Sequence, residues 1–256
     1  MSEVDSFLSG NSLLSRGFYS VVRALLHGIF LILTRVKVYG KENIPSHGPF
    51  VLAPVHRSNV DTPLVSTVTH RRMRFMGKDS LWKIRPIGAV LSALGGFPIS
   101  RGTADREALS RCIAVLSSGQ PLVLFPEGER KSGPVVQPLF DGAAYVAVKA
   151  GVPIIPVGIG GSEGVMTKGS KMIHARKCVI VIGAPILVTP SSDGPTPRSV
   201  IHDVSSRLHA DLQRLFDEAQ SHAGTPNKYL RDYYCAHQTL KGKRIFGTAQ
   251  FASAMH

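Results

Sequence analysis

Hydrophobic residues follow two rhythms along this chain. Near the start, Leu14, Phe18, Val21, Val22, Leu25, Ile29, Ile32 and Leu33 recur at helical spacing, with Arg16, Ser20, Arg23, His27 and Thr34 on the opposite side. Farther on, short apolar runs bounded by Gly and Pro alternate with amphipathic stretches. The runs at 36–38, 51–55, 73–76, 95–102, 121–125, 154–159 and 178–182 predict strands. Helices are predicted from about 63 to 70, from Pro86 to about 94, and from a Thr103 cap to Gly119, with Leu109, Ile113 and Leu116 facing inward. Another runs from an Asp141 cap to Gly151, and Val200, Val204, Leu208, Leu212 and Leu215 mark the last. Alternation of this kind predicts an α/β fold, a mostly parallel sheet flanked by helices.

Three parts follow: an N-terminal helix over 1–34, a domain over 35–220, and a basic, unassigned tail over 221–256. A spanning helix needs about 20 apolar residues with few charges. Arg23 and His27 interrupt this one, so it is expected to lie in the membrane interface, deepest at its carboxyl end. The alternative is a helix packed on the protein's own core. A cleaved signal peptide is not expected, because the extreme start is acidic and the run ends in Thr34-Arg35-Val36-Lys37.

Charge sharpens the picture. Among 256 residues, 30 Lys and Arg face 17 Asp and Glu, a net charge of +13. Such a surface favours anions: nucleic acid, anionic lipid or a phosphorylated substrate. No zinc spacing, RNA-recognition motif or basic heptad region supports nucleic acid, and no Gly-x4-Gly-Lys-Ser/Thr loop supports a nucleoside triphosphatase. Cys112, Cys178 and Cys235 are odd in number and far apart, which suggests a reducing compartment and no metal site.

The chemistry gathers behind the strands. The run at 51–55 ends at His56, and Asp61 follows in the next turn, before Thr62-Pro63 opens a helix. Open α/β sheets place ligands at that edge. A carboxylate folded back on an imidazole makes an oriented general base suited to a substrate hydroxyl. Arg101 follows another strand, and Glu127-Gly128-Glu129-Arg130-Lys131 follows a third. Arg101 and Arg130 are planar forks that suit a phosphate monoester. Lys78 and Lys131 add charge, and Glu127 is placed to orient an arginine or accept from a substrate hydroxyl.

These blocks together resemble the glycerolipid acyltransferases, in particular the lysophosphatidate acyltransferases. His56-Arg57-Ser58-Asn59-Val60-Asp61 matches the His-x4-Asp motif of that family. Gly96-Phe97-Pro98-Ile99-Ser100-Arg101 resembles its second block, Phe125-Pro126-Glu127-Gly128-Glu129-Arg130 its third, and Val152-Pro153-Ile154-Ile155-Pro156-Val157 its fourth. Two departures stand out: Val55 replaces the usual asparagine before the histidine, and Glu129 and Lys131 occupy positions usually held by threonine or serine. They border the phosphate site and bear on acceptor identity.

The resemblance implies a glycerol-3-phosphate acyltransferase-like fold and catalysis by His56 and Asp61. It implies acceptor phosphate bound among Arg101, Arg130, Lys78, Glu127 and Gly128, with no cofactor and no metal. Acyl-CoA or acyl carrier protein is the implied donor and lysophosphatidate the acceptor, at the cytoplasmic face of a membrane. A rival reading takes Gly160-Gly161-Ser162-Glu163-Gly164 as the nucleophile elbow of an esterase. The stretch after it is a poor helix, and no His-Gly-Gly-Gly run is present.

Overall fold

The computed structural model describes residues 13–78, 80, 82–99, 106–167, 172–189 and 196–227. A 22-residue helix α1 (Leu13–Thr34) leads into β1 (Lys37–Tyr39). Then come β2 (Val51–Pro54), α2 (Asp61–Ser66), β3 (Arg74–Lys78), α3 (Arg85–Ala93) and β4 (Gly96–Ile99). The second half adds α4 (Arg106–Ser117), β5 (Leu122–Val123), α5 (Gly142–Ala150), β6 (Ile154–Gly160), α6 (Ser162–Val165), β7 (Val179–Ile182) and α7 (Arg198–Ala223).

The strands form one sheet in the order β1-β7-β6-β2-β5-β3-β4. Every pairing is parallel except β6 with β7. Because β1 is parallel to β7, these two run against the other five. The ends of β2, β5 and β6 and the starts of β1 and β7 therefore share one edge. Every residue of β2, β6 and β7 is buried. Helices cover both faces, so these strands are apolar without alternation.

α7 packs along β6 and β7, and two glycines decide how closely. A Cβ on Gly158 or Gly160 would overlap the carbonyl of Leu215 or Ala219. Residues two apart on a strand share a face, so this pair lets the α7 backbone rest on β6. The α7 stripe is set by Ile201 rather than Val200, which is 38% exposed. Asp141 precedes α5 without capping it through its side chain. Its Oδ1 instead accepts from Ser205 Oγ at 2.7 Å and ties α5 to α7.

The N-terminal helix is amphipathic in an unexpected sense. Part of its polar side faces the protein: Arg23 donates to the Thr69 carbonyl at 3.2 Å and to His70 Nδ1 at 2.7 Å, while Arg16 and Ser20 stay exposed. Tyr19, Phe30 and Thr34 are buried on the same side. Leu14, Val21, Leu25, Ile29 and Ile32 face outward, Ile32 at 81% exposure. The stretch Arg16–Thr34 is long and apolar enough to cross a membrane. It is nevertheless tied to the domain at Tyr19, Arg23, Phe30 and Thr34. Both readings of this helix thus find a side: Tyr19, Leu26, Phe30 and Thr34 pack on the protein, while the apolar stripe stays outward.

Candidate active site

β2 delivers His56 to the shared edge, and Val55 N–H still bonds the Val157 carbonyl at 3.0 Å. The chain then turns, and the Asp61 carboxylate folds back into the loop. Its Oδ2 accepts from Arg57 N–H and Ser58 N–H, both at 2.6 Å, and lies 3.1 Å from His56 Nδ1. Asp61 is completely buried, whereas the imidazole keeps 16% of its surface exposed. A carboxylate accepts only, so this contact places the imidazole proton on Nδ1 and leaves the Nε2 lone pair as the base. The ring stacks on Phe125, centroids 4.0 Å apart at 26°.

The β5 loop clamps the histidine by its main chain. His56 N–H donates to Glu127 Oε1 at 3.2 Å, and the His56 carbonyl accepts from Lys131 N–H at 2.8 Å. The neighbouring guanidinium completes the clamp: Arg57 Nη1 donates to Glu127 Oε1 and Oε2 at 2.8 and 2.9 Å. Both side chains are essentially inaccessible. Gln137 N–H adds a bond to Oε2 at 3.1 Å, and the guanidinium lies 4.8 Å from the Phe216 ring centroid.

This corrects the expectation that Glu127 meets the acceptor. Its carboxylate is spent on protein donors; the arginine it orients is Arg57. Sequence reasoning missed Arg57 as part of the site. The available signal was a pair of opposite charges just past the ends of two apolar strands.

The other expected residues spread along the edge. Arg130 is half-buried and makes no hydrogen bond or ion pair with any described residue. Lys131 donates to Glu129 at 2.7 Å, so the carboxylate that departs from the family pattern offsets that charge. Gly128 adopts φ 71°, where a side chain would also strike the Phe140 ring. Lys78 ends β3, one strand beyond β5. β4 ends at the same edge but three strands from β2, and Arg101 lies outside the described residues.

Ser162 does open a short helix after β6, as an elbow would. Its side chain is buried, however, and its Oγ has no hydrogen-bond partner among the described residues, so none of them serves it as a base. Burial also pushes the Cys112 and Cys178 thiols up to about 12, which keeps both protonated at neutral pH. Serine and cysteine nucleophiles are therefore poorly served, and the exposed imidazole is the group equipped for chemistry.

Among the described residues, an oriented base at the edge of an α/β sheet with no activated nucleophile beside it is suited to activating a substrate hydroxyl. The comparisons narrow the class. The family profile described as Acyltransferase matches residues 35–160. A 1-acyl-sn-glycerol-3-phosphate acyltransferase of Bacillus subtilis (strain 168) is 30% identical over 152 residues, 59% of this chain and 73% of that protein. The chloroplastic enzyme BAT2 of Brassica napus is also 30% identical, but the match spans 45% of its length. The crystal structure of the 1-acyl-sn-glycerophosphate (LPA) acyltransferase PlsC from Thermotoga maritima superposes with a TM-score of 0.66 at 26% identity. It covers 82% of this chain and 85% of that one. The chain belongs to the acyltransferase family.

Proposed function

We propose that the protein transfers a fatty acyl group from a thioester to the free hydroxyl of lysophosphatidate, giving phosphatidate. The observation that carries this reading is His56, held through Nδ1 by a buried carboxylate with its other nitrogen toward solvent. Nε2 removes the acceptor hydroxyl proton as the oxygen attacks the thioester carbonyl. Asp61 stabilises the imidazolium that forms. The tetrahedral intermediate collapses, the carbon–sulfur bond breaks, and the departing thiolate takes the proton back from His56. No acyl-enzyme is needed.

Arg130, a half-buried cation with no ion-pair partner among the described residues, is assigned to the acceptor phosphate, with Arg101 and Lys78 as the further cations expected there. The activity named for the relatives, on 1-acyl-sn-glycerol-3-phosphate, supports the acceptor. The outward apolar face of α1 supports work at a membrane surface, here assigned to the cytoplasmic leaflet. The test is acyl transfer from a thioester to lysophosphatidate in vesicles, with glycerol-3-phosphate and other lysolipids as competing acceptors. His56→Ala should lower turnover by about two to four orders of magnitude with little change in substrate binding. Near-normal turnover in that variant would remove the mechanism.

A further inference from the structure

A second basic site lies on the same edge. α1 ends beside α6 and the end of α7, leaving a groove of about 760 Å³ lined by Ile32, Leu33, Arg35, Glu163, Arg176 and Lys177, among others. Arg35 and Arg176 are exposed and form no ion pair with any described residue. Lys177 Nζ donates to the His222 carbonyl and keeps its charge in the groove. Among the described residues Glu163 is the one carboxylate in the lining, against three cations. One wall is thus apolar, and the charged groups of the rest are mainly basic.

Topology puts this groove next to the base. Gly160, the last residue of β6, pairs with Val179, and Val179 pairs with Lys37. The end of α1 is joined there by the bond from Cys178 N–H to the Thr34 carbonyl. Behind α6, the Met166 carbonyl accepts from Ser58 Oγ at 2.7 Å, inside the His56–Asp61 loop. β6 flanks β2 on one side and β5 on the other. Neighbouring strands stand about 5 Å apart, so the groove begins roughly one strand away from His56.

We propose that this groove holds the phosphate-bearing carrier end of the acyl donor. The inference rests on the reaction assigned above. That reaction brings two substrates to His56, and the acceptor phosphate is read onto Arg130, beyond β5. The donor must approach from another direction, and β6 offers the opposite flank. Its carrier, coenzyme A or the phosphopantetheine arm of a carrier protein, bears phosphate, and its acyl chain is apolar. The cations match the first and the Ile32–Leu33 wall the second. A pantetheine arm is long enough to bring the thioester across one strand to Nε2.

The test is the double variant Arg35→Gln with Arg176→Gln, which keeps two long side chains and removes two charges. With a soluble medium-chain acyl-CoA as donor, its KM for donor should rise about tenfold, while kcat at saturating donor and KM for lysophosphatidate stay within twofold. Salt should raise the wild-type donor KM more steeply than that of the variant. Equilibrium dialysis with coenzyme A alone should show the same loss of binding, a readout that stands even if the transfer reaction is assigned wrongly. A rise in acceptor KM instead would give the groove to the acceptor, and weakened vesicle binding with an unchanged donor KM would give it to bilayer headgroups. Either result, or no change in any measurement, overturns the proposal.

Discussion

Replacing Glu127 with glutamine tests the clamp on the catalytic histidine. The carboxylate takes two bonds from Arg57 Nη1 and one each from His56 and Gln137 main-chain N–H groups. Glutamine keeps the shape, removes the charge and turns one acceptor into a donor. Arg57, only 1% exposed, is left without a counter-charge. Breaking a buried ion pair by removing one partner costs about 3–5 kcal/mol. For a chain of this size each kcal/mol lowers Tm by about 2–4 °C, so the melt should fall by roughly 6–20 °C. Turnover should fall as well, measured well below the new Tm, because one oxygen can no longer serve Arg57, His56 N–H and Gln137 N–H together and the loop that holds His56 loosens. Arg57→Met with Glu127→Gln removes both charges while keeping one amide acceptor, and should melt above Glu127→Gln alone. A single variant melting within about 2 °C of wild type, or a double variant below the single, would refute the argument.

Three other expectations follow from the same geometry. Arg130→Ala should raise the KM for the phosphorylated acceptor while sparing the thioester, as expected when uniform binding is lost; equal KM values for acceptors with and without phosphate would remove the assignment. Leu25→Glu with Ile29→Glu should weaken vesicle binding by about tenfold or more without lowering the melt, since both side chains are at least half exposed; vesicle flotation against calorimetry separates the two effects. Cys112 and Cys178 should resist iodoacetamide at pH 7.5 in the folded protein and react after unfolding in urea, read by mass spectrometry of tryptic peptides, because burial holds both thiols near 12.

Much of this was legible because periodicity reports burial. Apolar runs without alternation marked β2, β6 and β7 as strands covered on both faces, and the helical spacing in α4 and α7 named most of their inward residues. His56 and Asp61 were legible because a five-residue offset in a tight loop is local geometry. The partner of Glu127 was not, because it depends on β2 lying beside β5, and strand order is invisible in the pattern of either strand. α2 was drawn too long. It starts at Asp61, whose carboxylate organises the preceding turn, and it ends where Ser66 and Thr67 hydroxyls bond back to the Pro63 and Leu64 carbonyls. The sequence left α1 between interface and core because spacing shows that a helix has two faces without saying what lies against each.

That orientation carries a consequence in time. Arg23 finds its acceptors at Thr69 and His70, 46 and 47 residues farther along the chain. At 5–20 residues per second of synthesis, the helix exists for about 2–9 seconds before those groups have been made. During that interval its outward stripe has only lipid to bury against. A bilayer present during translation can therefore receive α1 before α2 and α3, which pack against its other side, have formed.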